Sequence, residues 1–177
     1  SKGKATALVS DEDYSYLMNW TWNYSRTNGY ALRYFTDEAG KRGSIFMHRV
    51  VMTRMLGEPI PQGMQVDHIL SGKEHRINNQ RDNLRIATKS QNQWNKTIQI
   101  NSKTGYKGVV WHQGKFDSHI RVFGRKIYLG RFDNSVDAAL MYDAATRVLF
   151  GDFRHENFPD LPTPLVLQIR MQKILEK

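Results

Sequence analysis

Apolar positions come in short, unevenly spaced runs up to about residue 94, and the rhythm then changes to three strand-like runs followed by two helical ones. Ala5–Val9 reads as a short strand, and Asp11 as the N-cap of a helix through Asp13 and Leu17. Trp20 to Tyr24 alternates. Asn28-Gly29 and the weaker Ala39-Gly40 signal tight turns on either side of a strand beginning at Tyr30. Ser44–Met47 predicts another strand leading into a helix over His48–Leu56, which Gly57, Pro59 and Pro61 end. Met64–Ile69 and Leu84–Ala87 read as strands flanking a polar loop, and a helix starts near Ser90, capped by Thr88 or Ser90.

Residues 95–105 are polar and predict a linker. Lys107–Trp111, Phe116–Phe123 and Lys126–Phe132 then predict three strands with turns at Gly114 and Gly124. A helix over about Ser135–Phe150 ends at Gly151, and Thr163-Pro164 reads as the cap and first residue of a last helix to about Leu175. The expectation is an α+β chain. Its segments are 1–94, a linker at 95–105, a small sheet-and-helix domain at 106–159, and a C-terminal helix within 160–177.

Hydrophobic residues make up 40% of the 177, enough for a core in each part. The 26 Lys and Arg exceed the 17 Asp and Glu for a net charge of +9, which points to a polyanionic partner. The excess is local: residues 101–131 hold 7 basic side chains and 1 acidic one, while residues 132–177 are net −2. Cysteine is absent, which excludes disulfides and thiolate zinc sites. No run approaches the ~20 apolar residues of a membrane span, and the first residues lack the apolar core of a signal peptide. A soluble intracellular protein is expected.

The densest candidate chemistry is Val66-Asp67-His68-Ile69, followed by Asn78-Asn79, Asp82-Asn83-Leu84 and Ser90-Gln91-Asn92. Hydrolysis of a phosphodiester needs a base for the attacking water and a cation for the charge that builds on the phosphate and the leaving oxygen. A histidine suits the first task. A carboxylate such as Asp67, with an amide oxygen from Asn92, suits a hard dication whose shell water and phosphate complete. On a regular strand Asp67 and His68 point to opposite faces, so their convergence requires a bend. His75 reads as solvated or DNA-facing. Met47, Met52, Met55, Met64 and Trp94 read as core.

This order of residues, His48-Arg49, Asp67-His68, Asn78-Asn79, Asn83-Leu84 and Ser90-Gln91-Asn92, resembles the HNH (His-Me finger) nucleases, particularly those of phage homing endonucleases. The resemblance implies a ββα-metal nuclease unit behind a β-rich lead-in. It implies His68 as general base, Asp67 and Asn92 as ligands of Mg²⁺ (or Mn²⁺), and Asn83 as the asparagine that braces the loop and orients the histidine. It gives His48 a structural role. Two departures stand out: the loop Ile69–Asn79 is about three residues longer than the common form, with Leu70 in place of an acidic residue, and the final position is Asn92 rather than the histidine of the classical motif. Asn95 is a second candidate for the ligand position of Asn92. The lead-in from Lys2-Gly3-Lys4 to Tyr14, with Trp20-Thr21-Trp22, resembles the same group.

In the later segment, Asp117, His119 and Arg121 share one strand face and Ser118, Ile120 and Val122 the other. Lys126 and Tyr128 likewise oppose Ile127 and Leu129. A basic face over an apolar one, backed by an alanine-rich helix, predicts a small antiparallel sheet able to enter a major groove. Tyr106-Lys107-Gly108-Val109, Tyr128-Leu129-Gly130-Arg131-Phe132, Tyr142-Asp143-Ala144-Ala145 and Asn157-Phe158-Pro159 resemble the plant APETALA2/ethylene-response DNA-binding domain. That resemblance implies DNA contacts from Lys107, His119, Arg121, Lys126 and Tyr128, and from Trp111, Phe116 and Arg125. Lys107 stands where arginine is usual, Val110 replaces a contacting arginine, Phe116 a tryptophan and His119 a glutamate, so the plant target sequence does not transfer.

Together these readings predict a site-directed, metal-dependent endonuclease of double-stranded DNA, of homing type, acting as a monomer that nicks or a dimer that cuts both strands. A mobile-element setting would put it in the cytoplasm of a phage-infected bacterium. The competing expectations are a DNA-binding regulator that keeps an inactive nuclease fold and a protein that binds or cuts RNA.

Overall fold

The computed structural model describes residues 5–98 and 102–175. Lys2-Gly3-Lys4 of the lead-in and residues 99–101 of the expected linker lie outside the described residues. The chain is α+β and divides into two compact units, residues 1–89 and 90–177.

The first unit opens with β1 (Leu8–Val9) and α1 (Asp11–Leu17), then an antiparallel sheet of β2 (Asn23–Tyr24), β3 (Ala31–Thr36) and β4 (Arg42–Phe46). Helix α2 (Met47–Leu56) follows without a break and ends at Gly57, in the left-handed conformation that suits glycine. Strand β5 (Gln65–His68) pairs with β7 (Leu84–Ala87), and β6 (Asn78–Asn79), in the intervening loop, pairs in parallel with β1. Met47, Val51 and Met52 of α2 pack against Leu17, Ala31, Val66 and Leu84, which roots the β5–β7 ribbon in the core.

Ser10, rather than Asp11, precedes the first helix as its cap residue. Its hydroxyl caps nothing in α1, because it accepts the Arg81 backbone N–H at 2.9 Å. Nearby, the fully buried Asp13 accepts Arg81 Nε and Nη2 at 2.7 and 2.9 Å and Arg54 Nε at 2.8 Å. The Arg81 guanidinium holds its carboxyl below the usual range. A carboxylate removed from water needs such partners, and the result ties α1, α2 and the turn before β7 together.

The second unit begins within α3 (Lys89–Trp94) and contains the antiparallel sheet β8 (Val109–His112), β9 (Lys115–Val122) and β10 (Arg125–Phe132), with β9 central. Helix α4 (Ser135–Leu149) lies on one face, its Asn134 cap accepting the Asp137 N–H at 2.8 Å. Ala138 and Ala139 are fully buried against Val109 and Phe116, and Ile120, Leu129, Met141 and Tyr142 form the larger core. Helix α5 (Leu165–Leu175) adds Leu167 and Met171 to that core. Trp94 is stacked on Phe150, with centroids 4.2 Å apart and planes 7° from parallel. This stacking draws most of α3 into the second unit, ahead of the boundary expected after residue 94.

Candidate active site and nucleic-acid interface

His68 ends β5 opposite Leu84, and Asp67 sits opposite Arg85. Alternation therefore turns the two side chains to opposite faces of the ribbon. His68 shares its face with Val66, toward a cluster of rings: His48 lies edge-on at 5.1 Å between centroids and Tyr30 at 5.8 Å. His48 is itself flanked by Phe46 and Tyr30. Both histidines are buried, and burial lowers both pKa values, His68 to about 4 and His48 to about 3. A hydrogen bond with the Asn79 side chain pulls His68 partly back, while Arg76 works with burial. For His48 the nearby His68 and Arg49 add to the downward shift.

These shifts carry a stability prediction. His48 titrates near 6.5 when unfolded and near 3 when folded, so as pH falls the unfolded chain takes up the proton first. The stability present above pH 6.5 is lost on the way down to about 3, by roughly a few kcal/mol. His48→Phe, which keeps a ring in the aromatic pocket, should flatten the fall between pH 6.5 and 4 in urea unfolding. An unchanged slope would remove His48 as its source.

Asp67 is only 5% exposed, and its Oδ2 accepts Arg85 Nε at 2.9 Å. Nothing in the sequence pattern singles out Arg85; only the strand register brings it to the carboxylate. Asn83 staples the loop: its Oδ1 accepts the Leu70 N–H at 2.9 Å, its Nδ2 donates to Asn78 O at 2.8 Å, and its carbonyl accepts the Ile69 N–H at 2.9 Å. The backbone leaving His68 is thus fixed from both sides. Asn92 lies in α3, half-buried, and Asn95 just beyond it is buried; both belong to the second unit.

No three His, Asp or Glu side chains converge among the described residues, so they form no closed protein cage for a metal. The Asp67 carboxylate has the hard oxygen chemistry that a dication takes, with water and phosphate able to fill much of its shell.

On the second unit, strand register sorts the expected DNA contacts. His119 is paired with Tyr128 and Arg121 with Lys126, so these four share the face away from α4. Tyr128 is 52% exposed, and Arg121 and Lys126 are exposed. Asp117 on the same face is neutralised: Arg131 donates to its two oxygens at 2.7 and 3.0 Å and His112 Nδ1 lies at 3.2 Å. Arg131, with smaller help from His112, holds that carboxyl at about 2. Neither residue was singled out by the alternation.

The remaining expected contacts lie elsewhere. Trp111 is paired with Phe116 and Arg125 with Val122, on the opposite parity. Phe116 is packed against Val109, Ala138 and Ala139 on the α4 side of the sheet. Trp111 is 55% exposed on the edge strand, and Arg125 is exposed at the hairpin tip.

Lys107, another expected DNA contact, is engaged within the second unit. Its Nζ donates to Trp94 O and Lys96 O at 2.5 and 2.6 Å, and burial lowers its pKa to about 8 against the pull of Asp143. A groove of about 670 Å³ beside the sheet is lined by Lys96, Lys103, Lys126, Trp111 and His119, among others, with no carboxylate among its described lining residues.

Residues 46–94 match the family model of the HNH endonucleases. The matched HNH segment contains His48, Asp67, His68, Asn83 and Asn92. Over 157 residues the chain is 28% identical to a protein described as an uncharacterized HNH endonuclease of Acanthamoeba polyphaga mimivirus, covering 88% of this chain and 77% of that one. Over 65 residues it is 43% identical to dehydration-responsive element-binding protein 2D of Arabidopsis thaliana, covering 34% of this chain and 31% of the plant protein. Over 68 residues it is 38% identical to dehydration-responsive element-binding protein 2A of Oryza sativa subsp. indica, covering 36% and 24%. The chain spans less than a third of these plant proteins. No described helix is long and apolar enough to cross a membrane.

Proposed function

We propose that this protein is a metal-dependent, site-directed endonuclease of double-stranded DNA, of homing type. The observation that carries the reading is the buried imidazole of His68 at the end of β5, one residue after Asp67 in the strand and just ahead of a loop that Asn83 braces. In this reading His68 accepts the proton of the attacking water as general base. Asp67 and Asn92 would hold the dication, Mg²⁺ or Mn²⁺. When bound, the metal supplies Lewis-acid stabilisation for the phosphate and the leaving 3′-oxygen. Products would be 5′-phosphate and 3′-hydroxyl ends.

The basic face of His119, Arg121, Lys126 and Tyr128 grips the duplex, supported by the likeness to the plant element-binding proteins. One base per chain implies that a monomer nicks one strand.

A supercoiled-plasmid assay tests this. Purified protein should convert plasmid to the nicked form in Mg²⁺ and stop in EDTA. Retained DNA binding without cleavage in either Mg²⁺ or Mn²⁺ would favour a DNA-binding regulator. Preferential capture and cleavage of duplex RNA at matched salt would favour an RNA-directed protein.

A further inference from the structure

We infer that Lys107 is a positioning residue that fastens the end of α3, the helix carrying Asn92, to the DNA-binding sheet, and is not itself a contact to DNA. The inference rests on the proposed role of Asn92.

Helix α3 has 6 residues. A helix this short is marginal alone, because its few hydrogen bonds barely offset the cost of nucleation. What holds it must come from outside, and two attachments are visible at its C-terminal end. The Trp94 ring is stacked face-on against Phe150 and meets Phe123 edge-on at 5.5 Å. The Lys107 ammonium bonds the carbonyls of Trp94 and Lys96, where a helix leaves acceptors unpaired and its dipole favours a cation.

Lys107 is in turn rigidly held. Its N–H donates to Asn157 Oδ1 at 2.7 Å, and Asn157 Nδ2 donates to its carbonyl at 3.1 Å. Asn157 donates its own N–H and its amide to Asp143 of α4 at 2.8 and 3.0 Å. A continuous chain of hydrogen bonds therefore runs from α4 through Asn157 and Lys107 to the tail of α3. A lysine reaching for phosphate would extend into solvent; this one spends its charge on two backbone oxygens.

Groups that orient a metal ligand typically change metal affinity by roughly 10–100-fold when removed. The test uses the full chain with Lys107→Met, and Trp94→Leu as a second variant that releases the same joint without touching a cation. Three quantities are read. In both variants the Mg²⁺ concentration for half-maximal nicking should rise roughly tenfold. Amide exchange at Asn95 and Lys96, whose N–H groups bond Gln91 O and Gln93 O, should accelerate. The slope of log duplex affinity against log salt should stay at its wild-type value.

A salt slope reduced by about 0.9 in Lys107→Met would make Lys107 a phosphate contact and overturn the inference. So would wild-type amide exchange in both variants, or a wild-type Mg²⁺ requirement in both. If the wild-type protein does not cut DNA, the nuclease reading fails, and exchange with salt slope still decides whether Lys107 fastens α3 or touches phosphate.

Discussion

His68→Ala should lower metal-dependent nicking by ~10²–10⁴, the usual contribution of a positioned general base, while duplex affinity stays within about twofold. The two readouts separate because the residues proposed to grip DNA and the proposed base belong to different units. His119, Arg121, Lys126 and Tyr128 share a face in the second unit, whereas His68 sits at the end of β5 in the first. The ring is only 7% exposed and fills space beside His48 and Tyr30, so its removal also leaves a cavity in the cluster. His68→Gln controls for this: it retains volume and a polar tip but has no nitrogen that can take up a proton near neutral pH. Both variants should fall together. Nicking by His68→Gln at the wild-type rate would remove His68 as the base, and a parallel loss of duplex affinity would mean that the ring matters for folding or binding instead.

What was legible in the sequence was whatever depends on local order. The period-two alternation from Phe116 to Phe132 has its counterpart in β9 and β10, because each strand buries one face on α4. The spacing of Asp67, His68 and Asn83 was visible as a motif, and the structure places all three at one end of the β5–β7 ribbon.

What escaped depends on register and on long-range pairing. Arg85 meets Asp67 only because β5 and β7 pair with these residues opposite. The parallel β1–β6 pair joins residues 8–9 to 78–79, too far apart for any local pattern to announce. The parity of Trp111 and Phe116 could have been counted from the hairpin at Gly114, which pairs His112 with Lys115 and so sets Phe116 one step out of phase with Asp117. Lys107 is a different case. A basic residue in a basic segment reads as a DNA contact unless the nearby helix end that takes its charge is known.

Gly108→Ala should unfold or severely destabilise the second unit, by roughly 2–4 kcal/mol, and with it abolish specific duplex binding. Two costs add. Gly108 has φ of +78°, a conformation that disfavours a side chain by about 1 kcal/mol or more. An added Cβ would also lie 1.9 Å from Cδ2 of Tyr142, which is 4% exposed and cannot swing into solvent. Forcing a methyl into a packed core costs about 1–3 kcal/mol in displaced neighbours. The backbone has little room to yield, since Gly108 O accepts the His119 N–H at 2.8 Å and Lys107 beside it is bonded on both sides to Asn157. Urea unfolding followed by tryptophan fluorescence would measure the loss. Tyr142→Leu tested with and without Gly108→Ala separates the two costs: with the ring gone, the added methyl should cost only the backbone share. An equal cost in both backgrounds would assign the whole effect to backbone conformation, and a wild-type midpoint for Gly108→Ala would refute the close approach of Gly108 to the Tyr142 ring.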